Sequence, residues 1–186
     1  MNINHIEDSE LTGIKILTPQ IHKDDRGYFF ESFNSEDFKN IGLPIKFSQD
    51  NQALSKKGTL RGLHYQLKYP QGKLVRVIKG EVFDVAVDIR RGSPTFGKYM
   101  GYSLSDKNNK IMYIPEGFAH GYVVLSETAI FQYKCTDLYH PEDEYGLLWN
   151  DIDLNIEWSV KNPILSQKDV NLPTLKLIDK KYLPKF

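Results

Sequence analysis

Five histidines, eleven tyrosines and a single cysteine are among the side chains of this chain that could do chemistry. His64 and His120 sit in apolar, strand-like surroundings; His5 and His22 lie among polar residues and His140 precedes Pro141, which predicts solvent exposure for those three. A metal site in a β-barrel commonly takes three or four ligands, often paired two apart on a strand so that both face inward. The position two after His64 is Gln66, and the run Pro115-Glu116-Gly117-Phe118-Ala119-His120 ends on one histidine without such a pair. A metal-free site is therefore expected. A histidine without a metal can still be a general base, because its neutral form is available near neutral pH. His64 reads two ways, as such a base or as a barrel histidine hydrogen-bonded within the core.

His64 lies in the run Gly58-Thr59-Leu60-Arg61-Gly62-Leu63-His64-Tyr65-Gln66. On a regular strand it shares a face with Leu60, Gly62 and Gln66, while Arg61 points the other way. Both side chains serve one pocket only if the strand is irregular, and Gly62 is where a bulge is expected. Lys73 follows Pro70-Gln71-Gly72 and opens an apolar run, which puts an ammonium at a strand mouth where it can stabilise an oxyanion. The run Ala129 to Cys135 places Phe131, Tyr133 and Cys135 on one face. Tyr133 reads as an amphipathic core residue or, if it faces the same cavity as His64, as a phenolic acid opposite a base. Cys135 has no electropositive neighbour in sequence and reads as a small buried hydrophobe. Arg26, Arg61, Arg76, Arg90, Arg91 and Lys168, taken singly, read as solvated surface.

The scaffold for these residues is written mostly in period two. Short runs rich in Val, Ile, Tyr and Phe, at Leu74–Ile78, Val82–Ile89, Lys110–Ile114, Tyr122–Leu125 and Ala129–Cys135, predict strands. Turn signals separate them at Lys79-Gly80, Arg91-Gly92-Ser93-Pro94, Ser105 to Asn109 and Pro115-Glu116-Gly117, a spacing that favours a sandwich or barrel over βαβ units. One short helix is expected with Ser35 as its cap and Gly42 at its end. From Leu165 onward, Pro173 and Pro184 predict short irregular segments or turns. The expectation is one all-β domain over residues 1–186, with an N-terminal arm and a C-terminal cover.

The 186 residues carry 24 Lys+Arg against 24 Asp+Glu, a net charge of zero, which argues against a broad electrostatic grip on nucleic acid. No G-x-G-x-x-G and no G-x-x-x-x-G-K-[ST] occurs, so a dinucleotide-binding or P-loop site is excluded. The lone cysteine and the lack of an apolar run of about 18 residues predict a cytoplasmic protein without a membrane span.

Taken together, several strings resemble the dTDP-4-dehydrorhamnose 3,5-epimerase family. They are Asp25-Arg26-Gly27-Tyr28-Phe29-Phe30-Glu31, Gln49-Asp50-Asn51, Leu60 to Gln66, Val85 to Arg90, Gly92 to Gly97, Pro115 to Gly121, Tyr133-Lys134-Cys135-Thr136, Trp149-Asn150-Asp151 and Leu165 to Asp169. They run in order from about residue 13 to about residue 175. The resemblance implies a cupin-like jelly-roll barrel, metal-free and without a cofactor, that forms a homodimer and acts on a dTDP-4-keto-6-deoxyhexose. It implies His64 as the base at C3 and C5 with Asp169 paired to it, Tyr133 as the acid on the other face, and Lys73 as the group that stabilises the enolate at O4. Arg26, Glu31, Gln49, Asn51, Arg61, His120, Glu144 and Lys168 match positions that contact the nucleotide sugar. Whether Tyr133 or Tyr139 lies closer to the reacting carbon is open at this stage.

The chain departs from the family pattern at Gln52 and Ala53, where His and Ser are frequent, and at Tyr99, where Trp is frequent. Three other readings stand beside the double epimerase: a single-site epimerase acting at C3 or C5, a non-catalytic barrel that binds nucleotide sugars, and a metal-dependent cupin oxygenase, which the missing ligands disfavour.

Overall fold

The computed structural model describes residues 3–186. Its elements, in chain order, are β1 (Ile3–Asp8), β2 (Lys15–Pro19), β3 (His22–Asp24), β4 (Gly27–Phe29), α1 (Ser35–Asn40), β5 (Gln49–Lys56), β6 (Leu60–Gln66), β7 (Lys73–Lys79), β8 (Glu81–Asp88), β9 (Tyr99–Ser105), β10 (Ile111–Ile114), β11 (Phe118–Val124), β12 (Thr128–Cys135), β13 (Glu144–Gly146) and α2 (Gln167–Val170). Six strands form one sheet in the order β1-β2-β10-β7-β12-β5, and five form another in the order β13-β6-β11-β8-β9. β3 and β4 make a separate hairpin. Within both large sheets neighbours are antiparallel and often distant in sequence, such as β2 with β10 and β6 with β11, the connectivity of a jelly roll.

Three apolar clusters explain the burial pattern. Between the sheets, Ile16, Val75, Val82, Ala86, Met112, Phe118, Tyr122 and Phe131 pack together. On the outer face of the five-stranded sheet, Leu63, Tyr65, Val85, Val87 and Ala119 are covered by Leu147, Leu154 and Leu183 from the C-terminal third. On the outer face of the six-stranded sheet, Leu17, Leu74, Ile111 and Tyr113 are covered by Phe38 and Leu43 of the α1 region. β11 accordingly is buried at all seven positions, its even residues facing the inter-sheet core and its odd ones the C-terminal cover. Each fully buried large apolar side chain contributes about 1.5–3 kcal/mol, so the cover is part of the core and not an appendage.

One expectation is corrected. The cap of α1 is Asn34, not Ser35: the Asn34 Oδ1 accepts from the backbone N–H of Glu36 and of Asp37, and Asn34 keeps an extended backbone. The C-terminal stretch consists of short segments and turns, as expected: Ser166 caps α2, and single 3-10 turns follow at Leu175–Leu177 and Lys180–Tyr182. β5 also escaped the apolar pattern. It is an edge strand whose alternate residues Asp50, Gln52, Leu54 and Lys56 are exposed, so its sequence is mostly polar.

Candidate active site

The cleft opens between the two sheets. His64 projects into it from β6, and the irregularity needed to bring Arg61 to the same side is present at Gly62. Opposite β11, His64 pairs with His120 whereas Arg61 pairs with Tyr122, so β6 carries one extra residue across that interval. Gly62 has φ +119, and a Cβ there would lie 2.6 Å from the Gly121 Cα and 2.7 Å from the His120 carbonyl oxygen. Only glycine permits this close crossing of two strands. Beyond the bulge the alternation is reversed, and Arg61 lines the cleft with His64.

Asp169 reaches His64 from α2, 105 positions later in the chain, with its Oδ1 2.6 Å from the His64 Nε2. Ser166 Oγ accepts the Asp169 N–H at 3.1 Å and fixes the carboxylate in the first turn. Burial pushes the Asp169 carboxyl up, but the hydrogen bond and charge of His64, with Ser166 and Lys168, outweigh it and hold it below the usual carboxylate range. A carboxylate on Nε2 places the imidazole proton there and leaves Nδ1 as the basic nitrogen.

The opposite wall comes from the six-stranded sheet. Lys73 begins β7 and Tyr133 lies on β12, where it pairs with Val75 of β7 and Asn51 of β5. The cleft has an outer chamber of about 280 Å³, lined by residues including Gln49, Asn51, Gln71, Tyr139 and Glu144, and an inner one of about 250 Å³, lined by residues including Arg61, His120, Tyr122, Lys168 and Asp169. His64, Lys73 and Tyr133 line both. The turn that delivers Lys73 is pinned by Asp143, whose Oδ2 accepts the N–H groups of Leu67, Lys68 and Tyr69 at 3.1, 2.7 and 2.9 Å.

Burial pushes the Lys73 ammonium down from its ordinary value, partly offset by the charges of Cys135, Glu144 and Asp84. Burial likewise pushes the Tyr133 phenol up to about 12, so it holds its proton at neutral pH. The Tyr139 phenol is also raised to about 12, chiefly by its hydrogen bond to Glu144. The two tyrosines differ in what they can do. Tyr139 is half-exposed and its proton is committed to Glu144, whereas Tyr133 lines both chambers. Glu144 also pairs with Lys168, and its Oε1 lies 3.6 Å from the His64 Nδ1. Burial raises the Glu144 carboxyl, but Lys168, Tyr139 and His64 bring it below its ordinary value.

Of the residues expected in the site, His64, Lys73, Tyr133, Asp169, Gln49, Asn51, Arg61, His120, Glu144 and Lys168 converge on this cleft. Arg26 and Glu31 are not among its lining residues. The Arg26 side chain is 90% exposed on the β3–β4 hairpin, where it pairs with Asp24. The sequence reading missed Asp84, a carboxylate with no exposed surface on β8 whose two oxygens lie 2.9 and 3.0 Å from the His120 Nε2. An alternation argument finds it, since Asp84 stands among the inward positions Val82 and Ala86. A larger depression of about 780 Å³ lies under the C-terminal cover, but its only carboxylate, Asp153, is paired with Lys176. Among the described residues, no group of three or more His, Cys, Asp or Glu side chains converges as a metal-ligand set.

Comparison with known proteins identifies the family. Residues 8–177 match the family profile described as dTDP-4-dehydrorhamnose 3,5-epimerase. The chain belongs to the dTDP-4-dehydrorhamnose 3,5-epimerase family. The Shigella flexneri enzyme of that name is 54% identical over 165 residues, spanning 88% of this chain and 91% of the relative. The crystal structure of the Legionella pneumophila dTDP-6-deoxy-D-glucose-3,5-epimerase in complex with dTDP-4-keto-L-rhamnose superposes with a TM-score of 0.95 at 49% identity, covering 98% of both chains. A 3'-monoepimerase from Streptomyces bikiniensis, in complex with dTDP-quinovose, is 35% identical with a TM-score of 0.88 over 93% of this chain and 89% of its own.

The three positions at which the sequence reading expected other residues lie in different places in the fold. Ala53 lines the inner chamber. Gln52 alternates outward on β5, and Tyr99 packs under the C-terminal cover, where its hydroxyl accepts the Glu157 N–H at 3.1 Å. Of the three, only Ala53 touches the cleft.

Proposed function

We propose that this chain converts dTDP-4-dehydro-6-deoxy-D-glucose to dTDP-4-dehydro-L-rhamnose by inverting C3 and C5, a step of dTDP-rhamnose biosynthesis. The observation that carries this reading is the placement of His64 and Tyr133 on different sheets of the jelly roll with both lining the same two chambers. A base and an acid on opposite walls are what inversion at carbon requires. The His64 imidazole takes the proton from a carbon beside the ketone, and the C–H electron pair becomes the C=C bond of an enolate. The negative charge moves to O4, where the Lys73 ammonium stabilises it. Tyr133 delivers its phenolic proton to the opposite face of the carbon, and the enolate collapses to the ketone. Imidazolium and phenolate remain, and proton exchange with water resets them before the second carbon reacts. Asp169 stabilises the imidazolium. These side chains carry every proton in the scheme, so it calls on no cofactor.

Arg61 and Lys168 supply cations for the pyrophosphate, since a guanidinium fork matches phosphate oxygens. The exposed Arg26, with Tyr28 and Phe29 beside it at 56% and 66% exposure, fits a role at the cleft of a second copy of the chain, and a homodimer is part of the proposal. Cys135 is an unpaired thiol, which suits a reducing, cytoplasmic setting.

Proton NMR with dTDP-4-dehydro-6-deoxy-D-glucose in deuterated buffer tests the reading by following C3 and C5 separately. Exchange at both, with reduction of the product giving a rhamnose, supports the double epimerase. The likeness to the Streptomyces 3'-monoepimerase keeps a second reading in play, and exchange at one carbon alone would establish it. Ligand binding with exchange at neither would make the chain a nucleotide-sugar-binding barrel.

A further inference from the structure

The cleft contains two histidine–aspartate pairs. His64 and His120 are direct cross-strand partners on β6 and β11. Each turns its Nε2 to a buried carboxylate, His64 to Asp169 and His120 to Asp84. The pairs differ in depth: the His64 side chain is 26% exposed and that of His120 only 7%. Asp84 makes no side-chain hydrogen bond other than that to His120 among the described residues, and His120 makes none through Nδ1.

We propose that Asp84 is a positioning residue that locks His120 in the Nε2–H tautomer. His120 thereby presents the Nδ1 lone pair to a sugar hydroxyl and sets which carbon lies over His64. This deepens the proposed epimerase reading and rests on it.

A carboxylate only accepts hydrogen bonds, so a ring nitrogen held by both its oxygens must carry the proton. In the neutral ring the other nitrogen is then an acceptor. Directly opposed strand residues are separated by about 5 Å, so a ring contacting one carbon of a pyranose at His64 brings a neighbouring substituent of that sugar within reach of His120. C3 and C5 lie on either side of the ketone, and which of them faces His64 depends on how the sugar is rotated in the inner chamber. A fixed acceptor one strand away selects that rotation. Lys73 cannot make the same selection, because its ammonium is directed at the oxygen common to both enolates.

The test uses the full-length protein and two readouts. Histidine ¹⁵N NMR reports the tautomer, and solvent deuterium exchange reports the rates at C3 and C5 of dTDP-4-dehydro-6-deoxy-D-glucose. In the wild type His120 carries its proton on Nε2; a proton on Nδ1 instead overturns the proposal without any variant. Asp84→Asn puts an amide N–H against Nε2 and shifts His120 toward the Nδ1–H form while His64 keeps its resonances. The C3:C5 exchange ratio should then change by up to about 10²-fold, the scale on which a misplacement of about 1 Å acts. Should Asp84→Asn fail to fold, His120→Gln serves, and it should move the ratio likewise. Equal losses at both carbons, leaving the ratio unchanged, are what a purely structural role gives and overturn the proposal. Should the wild type exchange only one carbon, the supporting result is exchange at the other in the variant, and its absence counts against the proposal. No exchange in the wild type defeats the epimerase reading itself, a failure distinct from an unchanged ratio in an active enzyme.

Discussion

His64 and Tyr133 belong to different sheets of the jelly roll, yet both line the outer and the inner chamber of one cleft. In the proposed reaction a planar enolate held between them would have a base on one face and an acid on the other, which is the geometric condition for inversion. From this arrangement the two residues should fail differently when replaced. His64→Ala removes the base and should lower exchange at both carbons by about 10²–10⁴-fold, the usual contribution of general base catalysis. Solvent deuterium incorporation measures this, and wild-type turnover in the variant would sink the mechanism.

Tyr133→Phe keeps the base and the enolate stabiliser. Deuterium should still enter from the His64 side, while inversion falls by about 10²-fold or more, the lower end for loss of a positioned acid. Tyr139→Phe should leave inversion far less affected, because its proton is already engaged by Glu144. Equal losses of inversion in both variants would show that Tyr133 is not the acid.

Lys73 is a cation in a desolvated place, with its ammonium pushed down by burial and no ion pair among the described residues. Lys73→Met should therefore separate catalysis from stability. Turnover should drop by about 10²–10³-fold, as when an oxyanion donor is removed. The melting temperature should rise, since an unpaired buried charge opposes folding. A lower melting temperature together with unchanged turnover would assign Lys73 a structural role.

Asp169 and Glu144 are held below their ordinary values of 3.8 and 4.5 in the folded chain. The unfolded chain therefore binds protons first as the medium is acidified. Stability from the two groups is complete above pH 4.5 and is lost as pH falls through the lower folded values. Asp169→Asn should flatten the acid side of a plot of melting temperature against pH, and should also cut turnover by leaving His64 without its orienting carboxylate. An unchanged acid limb would mean that the pair does not couple to folding.

If the β3–β4 hairpin serves a second copy of the chain, light scattering gives a dimer and Arg26→Ala raises KM with little change in kcat. A monomer with full activity would remove the hairpin from the site.

The strands Leu74 to Ile78, Val82 to Ile89 and Ala129 to Cys135 were legible because each has one face toward the inter-sheet core and a period of two. The bulge at Gly62 was legible as a condition on Arg61 and His64. Residues three apart on a regular strand face opposite ways, and a glycine between them is where the strand can take up an extra residue. β5 was not legible, because an edge strand exposes its alternate positions and so carries few of the apolar residues that mark a strand.

The sequence by itself determined the all-β class, His64, Lys73 and Tyr133 as candidate chemistry, and, through its ordered motifs, the family. The family resemblance already implied Asp169 beside His64, but only the tertiary structure decided which imidazole nitrogen it meets, the second pair of Asp84 with His120, the commitment of Tyr139 to Glu144 and the position of Arg26 outside the cleft. The physical reason is chain distance. A strand's alternation specifies which face a side chain takes, but Asp169 meets His64 across 105 positions and Asp84 meets His120 across 36. Those meetings are set by the order in which strands join the two sheets and by the packing of the C-terminal cover, which no local pattern encodes.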